Sequence, residues 1–361
     1  MSDSRGGHPI QFAVVVLLLV GGGWYFFNHY NVSGLDGVSI SPKDPDADPF
    51  ISYRDVPHSL ASLTTTSARP AYAGGGKENP FAAPAGTTVE GKPPAPPVSA
   101  LRYRKLRIAA WALDGFGPTK FANREARKNI AQVVRQYDVV AIQQIASIER
   151  DLIARLVEVI NDGDPRYDFV MGESSGPVGR QEQLAFIFDR QRVVVDRQQT
   201  YTVEDPQEQM TYDPLVAWFR AAEPPPSAAW TFSLVNVRID LARAPSEVAL
   251  LANMLAAVRQ DGRGEDDVVI AGLFQADDAY LIPSLGEVHA TAAVNHRPTD
   301  IFGRYQTSNI LFDSVTTSEH LGGGGVHDYL RQNGLSRAEA EAVTSHLPVY
   351  AEFTATEGGQ L

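Results

Sequence analysis

The chain has 361 residues, 43% of them hydrophobic, with no cysteine and a formal net charge of −12. Disulfide frameworks and cysteine-ligated zinc are therefore excluded, and nothing draws the chain as a whole to phosphate backbones, so nucleic-acid binding would need a local basic patch. The length is too great for the commonest single domain and too small for three.

Residues 1–9 are a short tail. From Phe12 to Phe27 the chain reads FAVVVLLLVGGGWYFF without a charge, and Ile10 and Gln11 extend the run to 18 residues. About 17–25 residues of helix span a bilayer core. Trp24, Tyr25 and Tyr30 sit at one end, where an aromatic belt lies. Residues 10–30 are read as a transmembrane signal anchor, which makes the membrane the first expected partner. A cleaved signal peptide competes with this reading, but bulky WYFFNHY stands where a small-residue cleavage site belongs. Arg5 precedes the run, and Asp36, Lys43, Asp44, Asp46 and Asp48 follow it. The positive-inside rule then predicts a single-pass protein with an extracytoplasmic C-terminal domain.

Residues 31–103 read as a flexible Pro/Gly-rich linker. Between Ser41 and Ala100 lie 11 of the 24 prolines, with GGG at 74–76 and PPAPP at 93–97. Such composition makes a semi-extended spacer. Phe50, Ile51 and Tyr53 make the stretch from Pro49 to Leu63 the part suited to docking.

From residue 104 to 361 strands and helices alternate. The apolar runs predict strands over Leu106–Leu113, Asp138–Ile145, Tyr167–Gly172, Gln183–Phe188, Val193–Val195, Leu215–Phe219, Trp230–Ile239, Val268–Phe274, Asn309–Asp313 and Val349–Phe353. Helical periodicity marks Phe121–Gln136, Glu149–Ile160 and Glu247–Gln260. Buried strands bordered by amphipathic helices imply an α/β layered domain. No P-loop, nucleophile elbow or zinc-binding helix motif is present. GGGG at 322–325 runs into Val326 and reads as a flexible loop.

Eight segments resemble, in order, those of the DNase I-like endonuclease/exonuclease/phosphatase superfamily. They are LRIAAWALDGFG (106–117), DVVAIQQI (138–145), GRQEQLAFIFD (179–189), YDPLVAWF (212–219), LVNVRIDLARAPSEV (234–248), VVIAGLFQADDAY (268–280), TSNILFD (307–313) and AVTSHLPVYAEF (342–353). The resemblance implies a four-layer sandwich of two packed mixed sheets with outer helices. It also implies a divalent metal, usually Mg²⁺, and cleavage of phosphoric esters. Such chemistry needs carboxylates for a hard cation and a base to prepare water.

Carried onto this chain, the family's site is largely replaced. The first-strand Asn falls on Ala112, and the metal-binding Glu on Gln144. The first catalytic His falls on Arg238, and the phosphate-binding Arg on Tyr212. The Asp and Asn of the Gly-Asp-Phe-Asn segment fall on Leu273 and Gln275. Ser308 and Ser345 stand where His346 would find its Asp partners. Only Glu182 and His346 survive. Arg238 and Tyr212 remain candidates for holding a ligand, and Arg238 is expected to pair with Glu182. Asp277 and Asp278 read as solvated turn residues rather than a relocated metal site. The expectation is a pseudoenzyme, a membrane-held binding or scaffolding module with a protein partner and no cofactor. Its rival is an active Mg²⁺-dependent phosphodiesterase with a rebuilt site. From residue 104 onward 24 Lys and Arg face 35 Asp and Glu, so nucleic acid is not favoured as a partner.

Overall fold

A computed structural model describes residues 30–33, 39–42 and 105–358, apart from 147–150, 165, 204, 206 and 287–288. The expected anchor, save Tyr30, and most of the linker lie outside the described residues. Two short strands there, β1 (Tyr30–Ser33) and β2 (Ser39–Pro42), pair antiparallel with Val32 opposite Ile40. Among the described residues no single helix is long and apolar enough to cross a membrane.

The described domain starts with β3 (Lys105–Phe116), α1 (Pro118–Ala122), α2 (Arg124–Val134), β4 (Val139–Ala146) and α3 (Leu152–Ile160). It continues with β5 (Tyr167–Met171), β6 (Glu182–Asp189), β7 (Val193–Thr202), β8 (Leu215–Ala221) and β9 (Thr231–Arg238). Next come α4 (Ala244–Val248), α5 (Leu251–Arg259), β10 (Val268–Leu273), α6 (Asp278–Ser284), β11 (Ala290–Ala292) and β12 (Ser308–Asp313). It closes with β13 (His320–Val326), α7 (Tyr329–Gln332), α8 (Arg337–Val343) and β14 (Val349–Thr354). One six-stranded sheet has the order β13-β14-β3-β4-β6-β5, the other β11-β12-β10-β9-β8-β7. Both are mixed, because β3–β4 and β9–β10 are parallel and the remaining pairs antiparallel.

Side chains alternate across a strand, so each sheet has two apolar faces to bury. The inner faces meet in one core that includes Ile108, Phe186, Phe219, Trp230, Phe232 and Phe353. Trp230 stacks on Phe232 with ring centres 4.1 Å apart and on Phe353 at 4.9 Å. The outer face of the first sheet is covered by α2, α3 and α8 through Ile130, Val134, Leu156 and Val343. The other outer face packs under α4, α5 and α6 through Val248, Leu251, Leu255 and Leu281. Three clusters between four layers give the sandwich that the resemblance implied.

Several boundaries differ from the sequence reading. The helix expected over Phe121–Gln136 is two, because Asn123 is extended and its side chain accepts from the Glu125 and Ala126 amides, starting α2 afresh. The helix expected over Glu247–Gln260 bends by 55° between α4 and α5. The strand expected at Val193–Val195 runs on to Thr202 as the polar edge of its sheet. GGGG at 322–325 is not a loop but part of β13, with Gly324 opposite Ala351 on β14. A Cβ on Gly324 would stand 2.9 Å from the Ala293 carbonyl oxygen, so glycine there permits close backbone approach.

Candidate functional site

Two parallel pairs place the carboxyl ends of β3, β4, β9 and β10 at one edge of the sandwich, the edge at which open α/β sheets bind ligands. The aligned positions gather there. Leu273 pairs with Arg238 on β9 and with Ser308 on β12, so the three stand abreast. On the facing sheet Ala112 pairs with Gln143, and Ala146 with Glu182 at the start of β6. Gln144 falls in a bulge, out of register with both neighbours, at φ 62°. Asp114 at φ 46° and Gln275 at φ 56° share that left-handed conformation, which costs a residue other than glycine of order 1–3 kcal/mol.

Arg238 bridges the two sheets. Its Nε lies 3.2 Å from Glu182 Oε2, with side chains 10% and 16% exposed. Its guanidinium also donates to the Ile239 carbonyl and lies 4.7 Å from the ring centre of buried Tyr212. Burial raises the Glu182 carboxyl above its usual value even against the pull of Arg238 and the Tyr212 hydroxyl. The ion pair and that upward shift point in opposite directions. The geometry decides that the two groups meet, while the upward shift says that burial outweighs the gain from the pair. Arg238 and Tyr212, the expected ligand-binding pair, are thus engaged with Glu182 and with each other.

His346 is not without a carboxylate, as positions 308 and 345 suggested. Its Nε2 lies 3.2 Å from Asp114 Oδ1, and its Nδ1 lies 3.4 Å from Thr307 Oγ1. Asp114 Oδ2 accepts from the Ser345 amide at 2.6 Å. Burial alone would raise Asp114, but the hydrogen bond and charge of His346, together with Ser345, hold it well below the usual carboxylate range. Trp111 Nε1 donates to the His346 carbonyl at 2.9 Å and fixes the backbone beneath the ring. The sequence reading missed Asp114. The signal was a lone carboxylate in the apolar run LRIAAWALDGFG. It also missed Lys120, whose ammonium donates to the carbonyls of Leu113 at 2.6 Å and Asp114 at 3.1 Å.

The residues present do not fit a hard cation at the family position. Leu273 is fully buried hydrocarbon, and Gln144 is neutral with its Oε1 accepting from the Asp114 amide at 3.1 Å. Glu182 and Asp114 are each taken by a basic partner. Two buried oxygens beside them, Gln275 Oε1 and Ser308 Oγ, have no hydrogen-bond partner among the described residues. Such atoms suit a bound polar group better than a metal. Asp277 and Asp278 do not serve as solvated turn residues. Asp277 caps α6 by accepting from the Tyr280 amide, and buried Asp278 accepts from the His296 amide at 2.9 Å.

Two packed mixed sheets, with loops at the carboxyl ends of their parallel strands carrying His346 and Glu182, define a class of proteins. The DNase I-like endonuclease/exonuclease/phosphatase superfamily is that class, and the chain is similar to its members across the described domain. Human deoxyribonuclease-1-like 2 is 27% identical over 282 residues, covering 68% of this chain and 90% of that protein. Bovine deoxyribonuclease-1 is 27% identical over 271 residues, 69% of this chain and 92% of its own. No family model matches. Among solved structures, humanized D. rerio TDP2 aligns over 69% of this chain and 98% of its own, with a TM-score of 0.49 at 15% identity.

Proposed function

We propose that residues 104–361 form a binding or scaffolding module that has lost phosphoric ester hydrolysis and is held at the outer face of a membrane by residues 10–30. The observation that carries this reading is the Arg238–Glu182 ion pair, abreast of Leu273 and Ser308. It puts a fixed cation where the family has a base and engages Glu182, the carboxylate retained at an aligned position, so that it is not free for Mg²⁺. Unpartnered Gln275 Oε1 and Ser308 Oγ support retention of a polar ligand cleft. A protein partner suits the acidic surface better than nucleic acid does. The full-length protein, purified from membranes, is expected to leave supercoiled plasmid and a phosphodiester ester analogue intact in Mg²⁺, Mn²⁺ or Ca²⁺. An N-terminus found between residues 24 and 40 would replace tethering by secretion.

One observation favours the rival reading. The Asp114–His346 pair gives the surviving histidine an orienting carboxylate, as a general base requires. An active, rebuilt phosphodiesterase would show metal-dependent nicking that persists through re-purification and disappears in His346→Ala.

A further inference from the structure

At the other end of β10 a different group of acids has no base among them. Asp267, Glu319 and Glu357 come from three separate segments: just before β10, between β12 and β13, and just after β14. Each offers a carboxylate oxygen, and these oxygens lie within 4.8 Å of one another. Asp267 and Glu319 are only 2% and 1% exposed. One oxygen of each is satisfied, Asp267 Oδ2 by Trp230 Nε1 at 2.8 Å and Glu319 Oε1 by the Gly358 amide at 2.7 Å. The other oxygens, Asp267 Oδ1 and Glu319 Oε2, have no partner of hydrogen-bond geometry among the described residues, although the Thr317 hydroxyl lies close enough to act on the Asp267 carboxyl.

Buried polar atoms without partners are rare and costly, and buried charges are ordinarily paired or bound to metal. The charges that bear on Asp267 and Glu357 compound the problem. Glu319 and Glu265 act on the first, and Glu319, Glu265 and Asp266 on the second. Burial and these neighbours push the Asp267 carboxyl up to about 8.

We propose that Asp267, Glu319 and Glu357 bind a hard divalent cation, with Ca²⁺ the better match in coordination chemistry. The donor set is all oxygen, as Ca²⁺ and Mg²⁺ prefer. Ca²⁺ accepts irregular sets of protein carboxylates, whereas Mg²⁺ demands near-octahedral geometry and usually keeps several of its waters. Glu357 is exposed and gives the ion a way in, while the two buried acids close the inner side. The ion ties the end of β14 to β10 and to the β12–β13 loop. This site is separate from the cleft of Arg238 and His346 and stands whether or not hydrolysis is retained.

The test uses the full-length protein and thermal unfolding followed by tryptophan fluorescence, since Trp230 touches Asp267 directly. Millimolar Ca²⁺ is expected to raise Tm by roughly 5–10 °C, as for a ligand near a hundred times its Kd, and Mg²⁺ by less. The double variant Asp267→Asn, Glu319→Gln is expected to fold and to lose the response. Glu357→Gln, a change at an exposed position, is expected to weaken the apparent Ca²⁺ affinity at least tenfold, which keeps the test open if the buried variant fails to fold. Absence of any response to Ca²⁺, Mg²⁺ or Mn²⁺ would overturn the proposal. So would a response that survives in Glu357→Gln and the double variant, or one lost in His346→Ala, which would place the ion in the family cleft.

Discussion

At the carboxyl end of β10 two half-buried carboxylates of the cleft each have a basic partner: Glu182 meets Arg238, and Asp114 meets His346. At the amino end, some 20 Å away at about 3.3 Å per strand residue, Asp267 and Glu319 sit among further acids. The same strand thus ends in neutralised charge on one side and uncompensated charge on the other. The first arrangement compensates the carboxylates of the cleft internally, and the second holds like charges together, which a bound cation would relieve. Removing a charge should therefore have opposite signs at the two ends.

The largest effect is expected from Arg238→Ala. It leaves Glu182 buried without its cation, which should cost about 3 kcal/mol by urea denaturation. Burial already raises Glu182, and the variant removes the opposing pull. Its folded state then holds more protons than the unfolded chain above the usual Glu range, so stability falls as pH rises. The loss should be greater at pH 8 than at pH 5. No loss at either value would mean that the pair contributes nothing to stability, and an equal loss at both that its contribution does not depend on the Glu182 charge.

Asp114→Asn should act in the same direction but less strongly, by about 1.5 kcal/mol at neutral pH, the scale of a hydrogen bond to a charged group. Asp114 is held below its ordinary value. Its contribution is therefore present above the unfolded pKa of about 4 and fades as pH falls through the lower folded value. Acid titration of wild type and variant should show the two stabilities converging below that point. A constant gap down to pH 2 would show that the Asp114–His346 contact is not electrostatic.

The smallest effect, and the one of opposite sign, belongs to Asp267→Asn with Glu319→Gln. In metal-free buffer this variant should be as stable as wild type or up to about 1 kcal/mol more stable, because like-charge repulsion is removed while a raised Asp267 had already relieved part of it. A marked loss of stability without metal would dissolve the contrast between the two ends.

The strands were legible because each is an apolar run with its own flanks, and the eight segments kept their order. β13 was not, since GGGG has no hydrophobic alternation and becomes a strand only by pairing with β14. The break before α2 was written in Asn123, a strong N-cap, but helical periodicity on both sides hid it. Arg238 opposite Glu182 followed from aligned positions and charge complementarity. Asp114 did not, because its partner lies far along the chain and a bulge turns it toward His346.

Composition and local pattern by themselves determined the apolar strands, the three larger helical regions and the absence of carboxylates at positions 144 and 273, because these are properties of residues and their near neighbours. Only the tertiary structure decided which charges meet. Asp114 and His346, Arg238 and Glu182, and the three acids around Asp267 come from segments that only sheet pairing brings together. Electrostatic and hydrogen-bond energies depend on distance through space and on burial, and neither quantity is carried by periodicity along the chain.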